Sequence, residues 1–181
     1  MISRLKSLSL GYSGIHVDSI TLLALLLNHN IIPYIPQHGG VGASGDLVQL
    51  AHLALILIGE GEVFYEGKRQ PTDEVFRQLN IEPLQIHLRE GLGLINGTSV
   101  MSGIGITNII FAQRAVGWSI IASAMINELV ESFDDHFSRV LNEVKKHKGQ
   151  HRVAQSMREL LKDSQLIKKR DDHLFNGKIE L

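Results

Sequence analysis

The sequence predicts a mainly α chain, a helical-bundle segment with one small β-hairpin. Three stretches carry this. Residues 99–133 are helix-compatible almost without interruption and apolar on nearly every face. A second apolar run, Leu47 to Ile58, follows Asp46, a good N-cap, and stops at Gly59. Between them, Glu62 to Tyr65 and Lys68 to Gln70 flank Glu66-Gly67, a pair suited to a tight hairpin turn.

The remaining elements follow in chain order. Asp18 is placed to cap a helix over Ser19 to Asn28, where Ile20, Leu23, Leu26 and Leu27 recur at helical spacing. Pro33 and Pro36 keep the next stretch extended up to Gly39. Pro71 takes the first position of a short amphipathic helix ending near Leu79. Arg89 to Thr98 reads as a glycine-bearing loop, and the long helix follows. It would run about 50 Å at 1.5 Å per residue. Its small residues Ser102, Gly103, Gly105, Ser119 and Ser123 would admit close neighbours. A charged amphipathic helix is expected over Asp134 to Lys146, then a break at Lys148-Gly149, then a helix over Gln150 to Lys162. The tail from Lys168 to His173 reads as solvated. Residues 1–98 thus form a loop-and-helix region, and residues 99–181 a long central helix with a charged helical tail. Together they are expected to make a single partial domain, because a helix apolar on all sides needs more surround than 181 residues supply.

The totals exclude several classes. Lys plus Arg number 18 against 19 for Asp plus Glu, so no phosphate-neutralising surface is implied and nucleic acid is not an expected partner. With no cysteine there is no disulfide, thiolate nucleophile or zinc-thiolate site, which fits a reducing, cytoplasmic compartment. The longest apolar runs, Leu50 to Ile58 and Val116 to Met125, are interrupted by His52 and by Trp118 and Ser119, and both fall short of the about 20 residues a membrane span needs. No metal site is expected either. His147 and His151 share a helical spacing but sit among Lys145, Lys146 and Lys148. His136 and His173 each follow two aspartates in the manner of solvated caps, and His52 reads as a core histidine. Tyr12, in GYSG, reads as part of a structural turn.

The chemistry is concentrated in GGVGASGDLVQL, residues 39–50. A phosphate cradle would need Lys-Ser or Lys-Thr entering the helix, where Asp46 would instead repel phosphate. A hydrolase nucleophile elbow needs glycine two places on each side of the serine. Ser44 has Gly42 before it but Asp46 after it. Ala43-Ser44-Gly45 can cyclise on itself: the Gly45 nitrogen can attack the Ala43 carbonyl carbon, since neither flanking side chain obstructs the approach. Loss of water from the ring and from the Ser44 side chain leaves a 4-methylidene-imidazol-5-one, a strong electrophile built without cysteine or metal. The bland alternative is a flexible capped turn in which Ser44 stays a serine.

GGVGASGDLVQLAHLALILIGEGEVFYEG, followed by EGLGLINGTS, resembles the histidine, phenylalanine and tyrosine ammonia-lyase family. The likeness runs from LKSLSLGYSGIH to HKGQ and LLKDS, nearly the whole chain. HGGVGASGDLVQL, INELVESFDDHFS and KKHKGQ are most like bacterial tyrosine ammonia-lyases, many of which are also called histidine ammonia-lyases.

The resemblance implies the ammonia-lyase (fumarase/aspartase-like) helical fold and elimination of ammonia from an aromatic amino acid to give an α,β-unsaturated acid. Ala43, Ser44 and Gly45 match the cofactor-forming triad and Asp46 the acid that follows it. Leu47 matches a position lining the ring pocket, and Asn96 the asparagine near electrophile and substrate. Gly93 stands where alanine is more familiar and should loosen that loop. The family's tyrosine base, ring-selecting residue and downstream tyrosine, arginine and glutamate have no counterpart in this chain. Family members are much longer homotetramers with active sites shared between subunits. The chain is therefore expected to be a fragment, inactive alone, with a small-molecule aromatic amino acid and further copies as partners. Histidine, tyrosine and phenylalanine remain open as substrates, and so does an aminomutase using the same electrophile.

Overall fold

Apolar side chains at Leu22, Leu23 and Leu26, and again at Leu50, Leu53, Ile56 and Leu57, turn two helices onto one shared core. In the computed structural model, which describes residues 1–170 and Asp172, the chain divides into two units. One is Met1–Thr107 and the other begins at Asn108. His173 lies outside the described residues.

The first unit begins with a helix the sequence reading did not anticipate, α1 (Ile2–Ser9). It is followed by α2 (Val17–Asn28), β1 (Ile32–Pro33), α3 (Leu47–Leu57), β2 (Glu62–Tyr65), β3 (Lys68–Pro71), α4 (Thr72–Leu79) and α5 (Glu90–Ile95). Asp18 is not the cap of α2. That position belongs to His16, whose ring nitrogen accepts from the Asp18 N–H at 3.4 Å while Asp18 lies in the first turn. The expected hairpin forms with Glu66 at φ 49° and Gly67 at φ 75°, both left-handed as a two-residue turn of the primed type requires. The sheet has a third strand: β1 pairs antiparallel with β2, Ile32 opposite Phe64. Pro33 is tolerated because it lies on an edge strand. Pro71 closes β3 opposite Glu62 and precedes α4 instead of opening it.

Three helices here end the same way. A left-handed residue follows the last turn, and the next N–H reaches back five residues: Ile31 to the Leu26 carbonyl, Glu60 to Leu55, Ile81 to Phe76. Asn30, Gly59 and Asn80 supply the left-handed conformations. The stops are therefore local chemistry, and the enclosed core gathers Leu8, Ile31, Val63, Val75 and Phe76 with the helices named above.

The long helix, α6 (Ser99–Leu129), ends four residues before Phe133 by the same device. Glu131 is left-handed and the Ser132 N–H bonds to the Asn127 carbonyl. Taken over its whole length and not only the run from Val116 to Met125, it is long and apolar enough to cross a membrane by length and composition alone. Ala124 is its single fully buried residue among those described, and Phe111, Trp118, Met125 and Leu129 are exposed.

In the second unit the expected helix over Asp134 to Lys146 is broken. Asp134–Phe137 form a 3-10 turn and α7 covers Arg139–Glu143. Ser138 between them is extended, and its hydroxyl accepts from the Leu141 N–H at 3.3 Å to cap α7. α8 (Lys148–Leu160) starts at the residue expected to lie in the break and carries Gly149 in its first turn. Ala124, Met157 and Leu161 form a small core with Ile120, Phe137 and Ile167.

Candidate active site: the glycine loop and its companion segment

Gly39, Gly42 and Gly45 all hold positive φ, so the loop before α3 follows a path that few other residues could take. At Gly45 a second constraint applies. A Cβ there would collide with the Gly97 carbonyl oxygen. Gly45 bridges to Gly97 in parallel, and Gly42 and Ala43 each bridge back to Gly45, so the triad is turned on itself and pressed against the companion segment. The adjoining Asp46 N–H donates to the Gly97 carbonyl at 2.9 Å. Asn96, the C-cap of α5, stands immediately before that pairing.

Asp46 makes three connections. Its carbonyl accepts the first N–H of α3, from Leu50, at 2.9 Å, and its N–H holds Gly97. Its buried carboxylate does not cap α3 by a side-chain bond, as the sequence suggested. One carboxylate oxygen instead accepts from Val100 N–H at 2.8 Å and Met101 N–H at 2.9 Å, capping α6. A carboxylate at a helix N-terminus is well placed, because the first-turn N–H groups have no intrahelical partners. Ala43, Ser44 and Asn96 are exposed, and Gly45 and Leu47 half-buried. Loop, α3 start and companion segment thus meet at one open place.

Arg89 to Thr98 is not the loose loop expected, since α5 occupies most of it. Gly93 does not loosen it. A Cβ at Gly93 would press on Ile15 at 3.1 and 3.3 Å, and its carbonyl is engaged. Two buried charges missed by sequence reasoning hold this helix. Arg4 donates from one guanidinium nitrogen to the Gly93 and Leu94 carbonyls at 2.5 and 2.9 Å. Burial lowers its pKa from the usual arginine value. At the other end Glu90, 2 % exposed, accepts from the His16 N–H, the Ser19 hydroxyl and the His87 N–H at 2.8–2.9 Å. Burial pushes the Glu90 carboxyl up, but the hydrogen bonds from His87, Ser19 and His16 together outweigh it and leave it below the ordinary value. Both partners of Arg4 lie about ninety residues away, beyond the reach of any local pattern. Among the described residues no three His, Asp or Glu side chains converge as metal ligands.

The family model for aromatic amino acid lyases matches residues 1–177, nearly the entire chain and all of this site. The chain belongs to the aromatic amino acid lyase family. It is 38 % identical over 180 residues to a histidine ammonia-lyase of Myxococcus xanthus, covering 99 % of this chain and 35 % of that protein. It is 41 % identical over 172 residues to a tyrosine 2,3-aminomutase of a Myxococcus species, covering 95 % and 33 %. The solved tyrosine aminomutase of Streptomyces globisporus superposes with a TM-score of 0.88 at 35 % identity, over 96 % of this chain and 33 % of that one. The chain spans about a third of the length of the curated relatives it matches. The mainly helical fold with a small antiparallel sheet is one the chain shares with that solved relative.

Proposed function

We propose that this chain is the electrophile-bearing segment of an enzyme that eliminates ammonia from an aromatic amino acid without net oxidation, of the histidine or tyrosine ammonia-lyase type. The observation that carries the reading is the turn in which Ala43 and Gly45 bridge each other while Gly45 lies against Gly97. A residue without a Cβ is required there. Ala43 and Ser44 stand free of packing, so the triad fits a methylidene-imidazolone. When formed, that group supplies an electrophilic carbon derived from Ser44.

The other residues bind, orient and stabilise. The first-turn N–H groups of α3, directly after the triad, offer partial positive charge to negative charge developing at the loop. The Asp46 carboxylate is turned to the N–H pair of α6, which leaves the first-turn N–H groups of α3 without a side-chain cap from it. The Asn96 amide can donate to an oxygen and accept from an amine, which suits it to orienting a substrate. Leu47, half-buried at the start of α3, serves as a wall for the substrate ring. The substrate is a small aromatic amino acid: histidine, tyrosine or phenylalanine. The enzyme would be a cytoplasmic homo-oligomer, a tetramer in its complete form, and the chain alone inactive. The exposed face of α6 is the surface such an assembly would cover.

An aminomutase is the second reading, favoured by the 41 % identity to a tyrosine 2,3-aminomutase. Product analysis separates the two, since a lyase releases the unsaturated acid and an aminomutase a β-amino acid.

The test places this segment in the matching region of the Myxococcus xanthus histidine ammonia-lyase. The hybrid should weigh two waters less than its sequence and form the unsaturated acid. Ser44→Ala should abolish both the mass loss and the ultraviolet absorbance of the product. A Ser44→Ala hybrid working at full rate would overturn the assignment, and a hybrid of unreduced mass would favour a serine that is never modified.

A further inference from the structure

We propose that Arg4 is a positioning residue for the Ala43-Ser44-Gly45 turn: its buried guanidinium, bound to the Gly93 and Leu94 carbonyls, holds Gly97 against Gly45 and Asp46. The geometry stands on its own, and only its consequence for electrophile formation rests on the function proposed above.

α5 has six residues, too few to hold a helical form unaided. It is fixed at both ends by buried charges of complementary sign. Glu90 sits at its N-terminus, and the cation of Arg4 takes the carbonyls near its C-terminus, the arrangement a helix dipole favours. Arg4 is only 4 % exposed, and its second terminal nitrogen lies so close to Gly97 that a Cβ there would collide with it. Gly97 in turn offers its carbonyl to the Asp46 N–H at 2.9 Å and fills the space a side chain at Gly45 would need. A continuous set of contacts therefore runs from α1 through the end of α5 to the triad. Without the guanidinium, the Gly93 and Leu94 carbonyls lose their donor inside the core, where unpartnered polar groups are costly. The segment carrying Asn96 and Gly97 is then free to move off the loop. An arginine is suited to this because its rigid planar head binds both carbonyls through one terminal nitrogen while holding the other against Gly97, which an ammonium with a single nitrogen on a flexible stem cannot do.

The experiment is amide hydrogen exchange on the 181-residue chain, read by peptide mass, for wild type, Arg4→Met and Arg4→Lys, each with Ser44 intact and as Ser44→Ala. Arg4→Met keeps most of the apolar stem and removes the fork. Exchange at Asp46 should rise on the order of tenfold, the scale of one lost hydrogen bond to a charged group. The bond from Tyr34 to Glu62 in the sheet, and those closing α2 and α4, should stay protected. Arg4→Lys should fall between, and the pattern should be the same in the Ser44→Ala background. That last arm separates the two ideas, because it reports on positioning whether or not Ser44 is ever modified. In the hybrid described above, Arg4→Met should also lower the fraction of chains lighter by two waters. Unchanged protection at Asp46 in both Arg4 variants would overturn the proposal. A uniform loss across the whole first unit would overturn it as well, because it would make Arg4 a general core residue. Should Arg4→Met fail to fold, Arg4→Lys alone decides: protection at Asp46 equal to wild type rejects the role.

Discussion

Glu90 is a carboxylate almost without water, and its charge survives there because three donors aim at it. Its pKa is depressed in the folded chain, so its contribution to stability is complete above the unfolded glutamate value and is lost as pH falls through the lower folded value. The groups around it are Ser19, His16 and His87, whose rings lie 5.0 Å apart, with Asp18 beyond His16. Glu90→Gln should destabilise the first unit at neutral pH, since an amide presents N–H groups where the site supplies donors. The gap between wild type and variant in urea midpoint should narrow on acidification below about pH 4. A gap that stays constant from neutral to acid pH would contradict this account. The exposed pairs Glu62–Arg69, Asp73–Arg77 and Glu143–Arg139 also lower carboxyl pKa values, but they occur in both proteins and cancel in the comparison.

Among elements, α3, α6 and the hairpin were legible because their signals are local: an apolar run with a cap, an apolar run without a breaker, a Glu-Gly turn. β1 was not, because two residues become a strand only through pairing with β2, some thirty positions later. α5 was hidden by Gly91 and Gly93, poor helix formers that tertiary anchors override. The same division applies to the candidate site. The triad and Asn96 could be picked out by motif, whereas Arg4 and Glu90 matter only through distant partners. Asp46 was half legible, since its position predicts a cap but only the fold reveals that its carboxylate caps α6. Asp46→Ala should therefore cost about 1–2 kcal/mol, as for loss of an N-cap, with faster exchange at Val100 and Met101. Asp46→Asn, a comparable cap, should cost less. Equal stability of Asp46→Ala and wild type by urea titration would show the bonds to α6 to be idle.

At the scale of the whole molecule, the first unit has an enclosed core while α6 leaves Phe111, Trp118, Met125 and Leu129 open to water. Apolar surface is worth about 25 cal/mol per Å² when covered, and patches beyond a few hundred Å² mark interaction surfaces. The isolated chain should self-associate on size-exclusion chromatography, with Trp118 emission shifted to the blue as concentration rises. A monodisperse monomer with water-exposed tryptophan emission would count against it. The first core also has an order in time. Every residue packed in it, from Met1 to Val100, precedes the greater part of α6. Once Thr107 has emerged from the ribosome all the side chains of that core are outside, and domains generally fold as units during synthesis. The loop bearing Ser44 can therefore take its native path on a nascent chain, before the open apolar length of α6 has left the ribosome.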